Sequence, residues 1–151
     1  KKACQIPCSE LRARSRTGEW MARRRVRFDG RPFLGYNCSM QLEHFFTPAG
    51  FDALKPDWNR LLQTSAVNTV FSTWEWQTVW WRHLGAGEPW LMAARGDDGS
   101  RVAIFPCFRA TNAAGERQVR LIGCADVADY LDPIIAGGQE SAALAAFLQA
   151  L

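Results

Sequence analysis

The sequence predicts a layered α/β fold in which a mixed, mostly antiparallel sheet of about four or five strands carries flanking helices. Apolar residues recur at helical spacing over residues 51–62 and 74–81. Short strand-like segments separated by turn residues follow over residues 89–123. Strands that are joined by tight turns pair antiparallel, and helices must cover the apolar face of such a sheet.

Length and composition suit one domain with its own core. The chain has 151 residues, of which 48% are hydrophobic and 22% are charged. No apolar run approaches the roughly 20 residues that cross a bilayer, so we expect no membrane span. The five cysteines are odd in number and match no zinc-binding spacing. We therefore expect no metal, and a reducing, cytoplasmic location.

The basic charge is concentrated at the start of the chain. Residues 1–40 hold ten of the 18 Lys and Arg residues but three of the 15 acidic residues. Such a segment could be a nucleic-acid-binding arm, a transit peptide, or a tail that is disordered or not part of the native domain. We favour the tail, assign residues 41–151 to the domain, and expect no nucleic-acid partner.

The first two elements are a strand and a helix. We expect the strand at residues 41–46. Thr47 then suits a helix cap, and Pro48 suits the first turn. One apolar face runs over residues 51–62, and Pro56 should divide this helix into two short pieces or kink it.

The next helix is rich in tryptophan. Residues 71–85 hold four of the seven tryptophans of the chain. Ser72 and Glu75 have the spacing of a capping box, and Gly85 suits a left-handed stop. Indole rings on two faces predict burial on both, because each ring removes about 150–250 Å² from water. This helix is a marker of the fold and not a site of chemistry, and we expect His83 near its end to lie at the surface.

A meander and a last helix complete the pattern. We expect a strand at residues 89–95, a hairpin turn at 96–99 and a partner strand at 101–109. Pro106 indicates a bulge or an edge position in that partner, because proline donates no ladder hydrogen bond. The remaining elements are a third strand, a short apolar strand and an amphipathic helix, at residues 118–123, 131–136 and from Glu140 onward.

The order strand, helix, helix, meander is the opening of the GNAT acyltransferase fold, and a series of short motifs adds to this likeness. In chain order they are Trp58 with Leu61-Leu62, Phe71-x-x-Trp74-Glu75-Trp76-x-x-x-Trp80-Trp81, Asp98-Gly99 with Ile104-x-Pro106, and Leu121-Ile122-Gly123 with Asp129-Tyr130-Leu131-Asp132. Over residues 41–151 the chain resembles the N-terminal half of GNAT-type acetyltransferases of the cellulose-biosynthesis type. Members of that family pack two GNAT-like halves together, somewhat like Fem-type aminoacyl transferases.

The resemblance implies an activity. It suggests the N-terminal portion of an acyl-CoA-dependent N- or O-acyltransferase of polysaccharide or cell-envelope biosynthesis. The acceptor would be a small molecule, a sugar or a peptidoglycan-like compound. The alternative is a non-catalytic substrate-binding or scaffold module that docks to a second domain.

The resemblance does not extend to the loop that binds the coenzyme. A catalytic GNAT domain holds the coenzyme A pyrophosphate on a Gln/Arg-x-x-Gly-x-Gly/Ala loop before a helix. After the meander this chain has Gly123–Asp129 instead, and the aspartates there would repel a pyrophosphate. We therefore expect acetyl-CoA or another acyl-CoA to bind mainly in a C-terminal half after Leu151. That half would be an intramolecular partner domain, and we expect the present piece alone to be inactive.

One dense polar cluster supplies candidate site residues, namely Asp126, Asp129, Tyr130 and Asp132. An aspartate beside a tyrosine could take the proton of an acceptor or bind a hydroxylated substrate. The same aspartates could also cap turns. We name the four as substrate-binding candidates and assign no catalytic residue, no cofactor-binding residue and no metal ligand.

Overall fold

An antiparallel sheet with helices on both faces makes up the part of the chain that the structure, a computed structural model, describes: residues 40–123, 128 and 131–151. The elements in chain order are β1 (Gln41–Phe45), α1 (Ala49–Thr64), a 3₁₀ turn (Val70–Ser72), α2 (Trp74–Leu84), β2 (Glu88–Arg95), β3 (Arg101–Thr111), β4 (Arg117–Leu121), β5 (Ile134–Ile135) and α3 (Glu140–Ala150).

The strands form one sheet in the order β1-β2-β3-β4, with β5 also paired to β3. Every pairing among the described strands is antiparallel. The predicted α/β layering, with about four or five mostly antiparallel strands, is confirmed as an α+β fold.

Each face of the sheet has its own apolar cluster. The face covered by α1 and α2 buries Trp58, Leu54 and Phe51 against Leu91 and Ile104. The opposite face carries α3, where the Phe105 and Phe147 rings stack with their centres 4.6 Å apart. Alternation along the strands produces the two faces, since successive side chains point to opposite sides of a sheet.

Helix α1 corrects two expectations. It runs as one helix through Pro56, so the expected division into two pieces is wrong. Pro56 is exposed, and on that side water can bind the carbonyl that its missing N–H leaves free. Thr47 does not cap the helix with its side chain. The N-cap residue is Pro48, and the backbone carbonyl of Thr47 accepts the Gly50 N–H at 2.9 Å.

The start of α2 differs from the expected capping box. Ser72 lies in the 3₁₀ turn, and the N-cap is Thr73, whose Oγ1 accepts the Trp76 N–H at 3.3 Å. The Glu75 carboxylate does not reach back to the cap. It accepts two hydrogen bonds from Asn59 Nδ2, at 2.9 and 3.2 Å. Glu75 therefore binds a side chain of the neighbouring helix α1 and not the cap residue of its own helix.

The end of α2 also differs from the prediction. Gly85 has φ −61° and is extended, not left-handed. A side chain is excluded there by space, because a Cβ on Gly85 would lie 2.5 Å from the Trp81 carbonyl oxygen. Among the four tryptophans of α2, Trp80 is buried and Trp74, Trp76 and Trp81 are half-buried.

Candidate functional site

The four predicted site residues divide between described and undescribed parts of the chain. Asp126, Asp129 and Tyr130 lie outside the described residues, so their roles stay predictions. Asp132 is described and exposed, and it lines a cleft of about 190 Å³. We call this the Asp132 cleft. Its lining residues are Ser65, Ala66, Val67, Asp132, Pro133, Ile135, Glu140 and Leu144.

Three elements meet at the Asp132 cleft: the end of α1, strand β5 and the start of α3. Ser65 follows α1 and forms an isolated antiparallel bridge with Ala136. Its Oγ accepts the Val67 N–H at 3.2 Å and the Ile135 N–H at 3.4 Å. Gly137 N–H donates to the Thr64 carbonyl at 3.2 Å. This backbone pairing fixes the two walls of the cleft relative to each other.

The cleft combines apolar walls with two carboxylates. Asp132 and Glu140 are exposed, and neither has an ion pair within the part of the chain that the structure describes. Glu140 is the first residue of α3, where the helix dipole favours a negative charge. Two carboxylates beside apolar walls would favour a cationic or hydroxylated ligand over a phosphate.

The edge strand beside the cleft is interrupted. β4 and β5 pair with the same edge of β3, so that Leu121 lies opposite Cys107 and Ile134 lies opposite Ile104. β4 ends at Leu121, and β5 begins at Ile134. The connecting residues 123–133 contain the candidate cluster. Both ends of the connection are close together, because a Cβ on Gly123 (φ +137°) would lie 2.2 Å from Leu131 Cδ2.

Pro106 lies in β3, beside this interruption. The bulge or edge-strand position that we expected for Pro106 is wrong. β3 is paired on both sides, and the irregular register lies at Ala94 and Arg95 instead. The Pro106 carbonyl accepts the Ile122 N–H at 2.7 Å. In an antiparallel pair this geometry would be completed by an N–H from Pro106 to the Ile122 carbonyl, which proline cannot supply.

Gln77 of α2 supplies the missing donor. Its Nε2 donates to the Ile122 carbonyl at 3.1 Å and to the Phe71 carbonyl at 2.8 Å. Gln77 is 3% exposed. Its Oε1 and the Nε1 of Trp80 are buried without a hydrogen-bond partner among the described groups. Sequence reasoning missed Gln77, although a glutamine among the tryptophans of a core helix was a signal that could have found it.

The surroundings of the reactive side chains show which kinds of catalysis the described residues could support. Burial raises the pKa of the Cys107 thiol to about 12, so it is not available as a thiolate nucleophile. His83 is exposed in the last turn of α2, as expected. No group of three or more His, Cys, Asp or Glu side chains in the described ranges could hold a metal ion.

Comparisons with protein-family models, with curated proteins and with solved structures found no match. Among the helices that the structure describes, none has the length and apolar character required to span a membrane.

Proposed function

We propose that this chain is the N-terminal portion of an acyl-CoA-dependent N- or O-acyltransferase and that the Asp132 cleft receives the acceptor. The observation that carries the proposal is the order of elements. Two helices, α1 and α2, follow β1 and cover one face of the β2-β3-β4 meander. This is the opening order of the GNAT fold, which the sequence motifs described above also resemble.

The Asp132 cleft supports an acceptor in that role. Acyl transfer from a thioester needs a group that takes the proton of the attacking amine or hydroxyl. The Asp132 carboxylate lies at a cleft whose walls are otherwise mostly apolar. A volume of about 190 Å³ suits a small ligand or one unit of a larger one. A sugar, a peptidoglycan-like fragment or a small amine fits this description.

The same charges support a separate site for the coenzyme. Helix α3 begins after Gly137 and Gly138, in the position where a coenzyme loop would precede a helix. Glu140 in its first turn would repel a pyrophosphate, and Asp132 lines the same cleft. We therefore propose that the acyl-CoA binds in a second domain. Involvement in polysaccharide or cell-envelope biosynthesis rests on the resemblance alone.

The test is acceptor binding, measured by ligand-detected NMR with a panel of amines, amino sugars, hexoses and muropeptide-like fragments. We expect one class to bind the native chain and to bind Asp132→Asn at least about fivefold more weakly, which is about 1 kcal/mol. Asp52→Asn is the matched control, because Asp52 is exposed on α1 away from the cleft lining. The proposal would be contradicted if no compound of the panel bound the native chain, or if the compounds bound Asp132→Asn as tightly as the native chain.

A second candidate is a scaffold module that docks to another domain. Leu144, Leu148 and Leu151 lie at i, i+4 and i+7 along and just after α3, and they are 41%, 67% and 59% exposed. Exposed leucines in one stripe are typical of an interaction surface. This candidate is favoured if no acceptor binds and an apolar dye binds the native chain but not Leu148→Gln.

A further inference from the structure

An arginine stacked on aromatic rings lies on the sheet face that also carries α3. The Arg109 guanidinium carbon is 4.2 Å from the centre of the Trp90 ring and 5.0 Å from the centre of the Phe46 ring. The His44 and Phe46 rings are parallel within 4°, with their centres 6.0 Å apart. We call His44, Phe46, Trp90 and Arg109 the aromatic–arginine patch.

The rings of the patch are held in fixed positions. Trp90 Nε1 donates to His44 Nδ1 at 3.1 Å, so a neutral His44 carries its proton on Nε2. Trp90 is buried, and it stacks within 22° of His44 and within 18° of Phe46. Phe46 is 52% exposed. The patch therefore presents one open aromatic ring beside a pre-oriented guanidinium.

Arg109 differs from the other arginines of the central strands. Arg95 and Arg101 both bind the Glu43 carboxylate, at 2.9 and 2.7 Å. Arg109 lies opposite Glu88 in the register of β2 and β3, yet it has no carboxylate within 4.0 Å among the described residues. An arginine that stacks on an aromatic ring can still use its in-plane N–H donors to bind an anion.

A second unpaired arginine lies on the same face. Arg117 of β4 is exposed and has no carboxylate partner in the described part of the chain. It is one strand across and two residues along from Arg109, about 8 Å between Cα atoms for a regular sheet. Two guanidinium groups at this separation fit a ligand with more than one negative charge. The open Phe46 ring fits a ligand that also carries planar groups.

We propose that the aromatic–arginine patch binds single-stranded nucleic acid, with a base stacked on Phe46 and phosphates on Arg109 and Arg117. Aromatic platforms beside arginines are the means by which proteins hold single strands without reading their sequence. Residues 41–151 hold eight Lys or Arg residues and twelve acidic residues, so the attraction for a polyanion is local to Arg109 and Arg117. The proposal is independent of the acyltransferase activity, and it concerns a surface other than the basic segment 1–40.

The experiment measures binding of a fluorescently labelled oligothymidylate of about 12 nucleotides, a length typical of single-strand sites, to the full chain over a salt series. Phe46→Ala should weaken binding at least about fivefold and leave the salt dependence unchanged, because it removes stacking alone. Arg109→Gln should weaken binding and reduce the slope of log K against log salt by about 0.7, the value for one phosphate contact on a single strand.

Arg82→Gln is the matched control, since Arg82 is exposed on α2 and also lacks a carboxylate partner among the described residues. It should change neither affinity nor slope. Circular dichroism checks that each variant is folded. The proposal is overturned if the native chain does not bind at low salt, if the Phe46 and Arg109 variants bind like the native chain, or if Arg82→Gln weakens binding as much as Arg109→Gln.

Discussion

One glutamine in the core donates to a carbonyl that a proline in the central strand leaves without its ladder partner. Gln77 Nε2 binds the Ile122 carbonyl in place of the N–H that Pro106 lacks. It also binds the Phe71 carbonyl at the 3₁₀ turn. A buried carbonyl that loses its donor costs about 1–3 kcal/mol. Gln77 is therefore a structural residue that connects α2 to the edge strand.

Replacing Gln77 by leucine should lower the free energy of unfolding by about 1–3 kcal/mol, because both carbonyls lose their donor while the volume is kept. Chemical denaturation monitored by tryptophan fluorescence measures the change. Gln118→Leu on the exposed strand β4 is the control and should change the stability by less than about 0.5 kcal/mol.

A double-mutant cycle tests the reason for this loss. Pro106→Ala restores an N–H opposite the Ile122 carbonyl, so Gln77→Leu should cost less in that background than in the native chain. Equal costs in both backgrounds would show that Gln77 does not act as a replacement for the missing ladder donor.

An ionic network links the sheet to α1 through Arg101. Its guanidinium binds Glu43 at 2.7 Å and Asp57 at 2.9 Å. Burial raises the pKa of Glu43, but hydrogen bonds from Arg101 and Arg95 outweigh this and hold the pKa below its usual value. The pKa of Asp57 is lowered by the Arg60 hydrogen bond, partly offset by burial, and further by Arg101.

Both lowered pKa values make the folded state sensitive to acid. Their stabilising contribution is fully present above the unfolded-state pKa values of about 4, and it is lost as the pH falls through the lower folded-state values. Arg101→Ala should lower stability by about 1–2 kcal/mol at pH 7, because hydrogen bonds to charged groups are lost. The variant should also lose less stability than the native chain on acidification.

Denaturation at neutral and at acidic pH measures both effects. Arg82→Ala, which removes an exposed charge from α2, should leave the acid dependence as it is in the native chain. If Arg101→Ala retains the full acid dependence, the network is not its source.

At the scale of elements, one asparagine joins the two helices that cover the sheet. Asn59 of α1 accepts the Trp74 N–H at 3.0 Å, so it satisfies a free donor at the start of α2. Its Nδ2 binds Glu75, and this hydrogen bond holds the pKa of Glu75 below its usual value. Trp74 Nε1 donates in return to the Phe51 carbonyl at 2.8 Å.

Asn59→Ala should lower the unfolding free energy by about 1 kcal/mol, the usual contribution of one intramolecular hydrogen bond, and should raise the pKa of Glu75. Thermal unfolding and NMR titration of the Glu75 carboxyl carbon measure the two effects. Asn68→Ala in the exposed loop is the control. A variant that leaves the pKa of Glu75 unchanged would contradict the assigned contact.

The same contacts explain which features of the fold could be predicted from the sequence and which could not. Apolar spacing placed most of the described helices and strands to within a few residues, because the periodicity of Phe51 to Leu62 is set by burial against the sheet. The role of Glu75 was misassigned because its hydrogen-bond donor, Asn59 Nδ2, lies 16 residues away on another helix, where a local pattern does not reach. The bulge or edge position was wrongly expected for Pro106 for the same reason. Gln77, which donates to the Ile122 carbonyl in place of Pro106, is 45 residues away from Ile122.

The candidate site could be predicted only in part. Asp132 was named from a dense polar run, and it does line a cleft. Glu140 and Ser65 were not named, because they reach the cleft through the pairing of β5 with β3 and of Ser65 with Ala136. A short strand with two residues gives almost no periodic signal, so these contacts could not be read from the sequence.

At the scale of the whole molecule, the Asp132 cleft predicts weak coenzyme binding. A phosphate about 4 Å from Asp132 or Glu140 would lose about 4 kcal/mol at an effective dielectric constant of 20. We expect the chain to bind acetyl-CoA with a Kd above about 1 mM and to transfer no acetyl group. Isothermal calorimetry and thiol release measure these outcomes. Micromolar binding would show that a coenzyme pocket lies within this chain.

The interruption of the edge strand gives the fold a place that can accept change. The register is fixed before the gap by Ile122 on Pro106 and after it by Ile134 on Ile104. Extra residues inserted between Gly123 and Leu131 need not shift either pairing, and loop closure becomes only about 0.6 kcal/mol less favourable for each doubling of length. Related or engineered chains could differ in length and sequence between Gly123 and Leu131 while the strand pairings on either side stay the same.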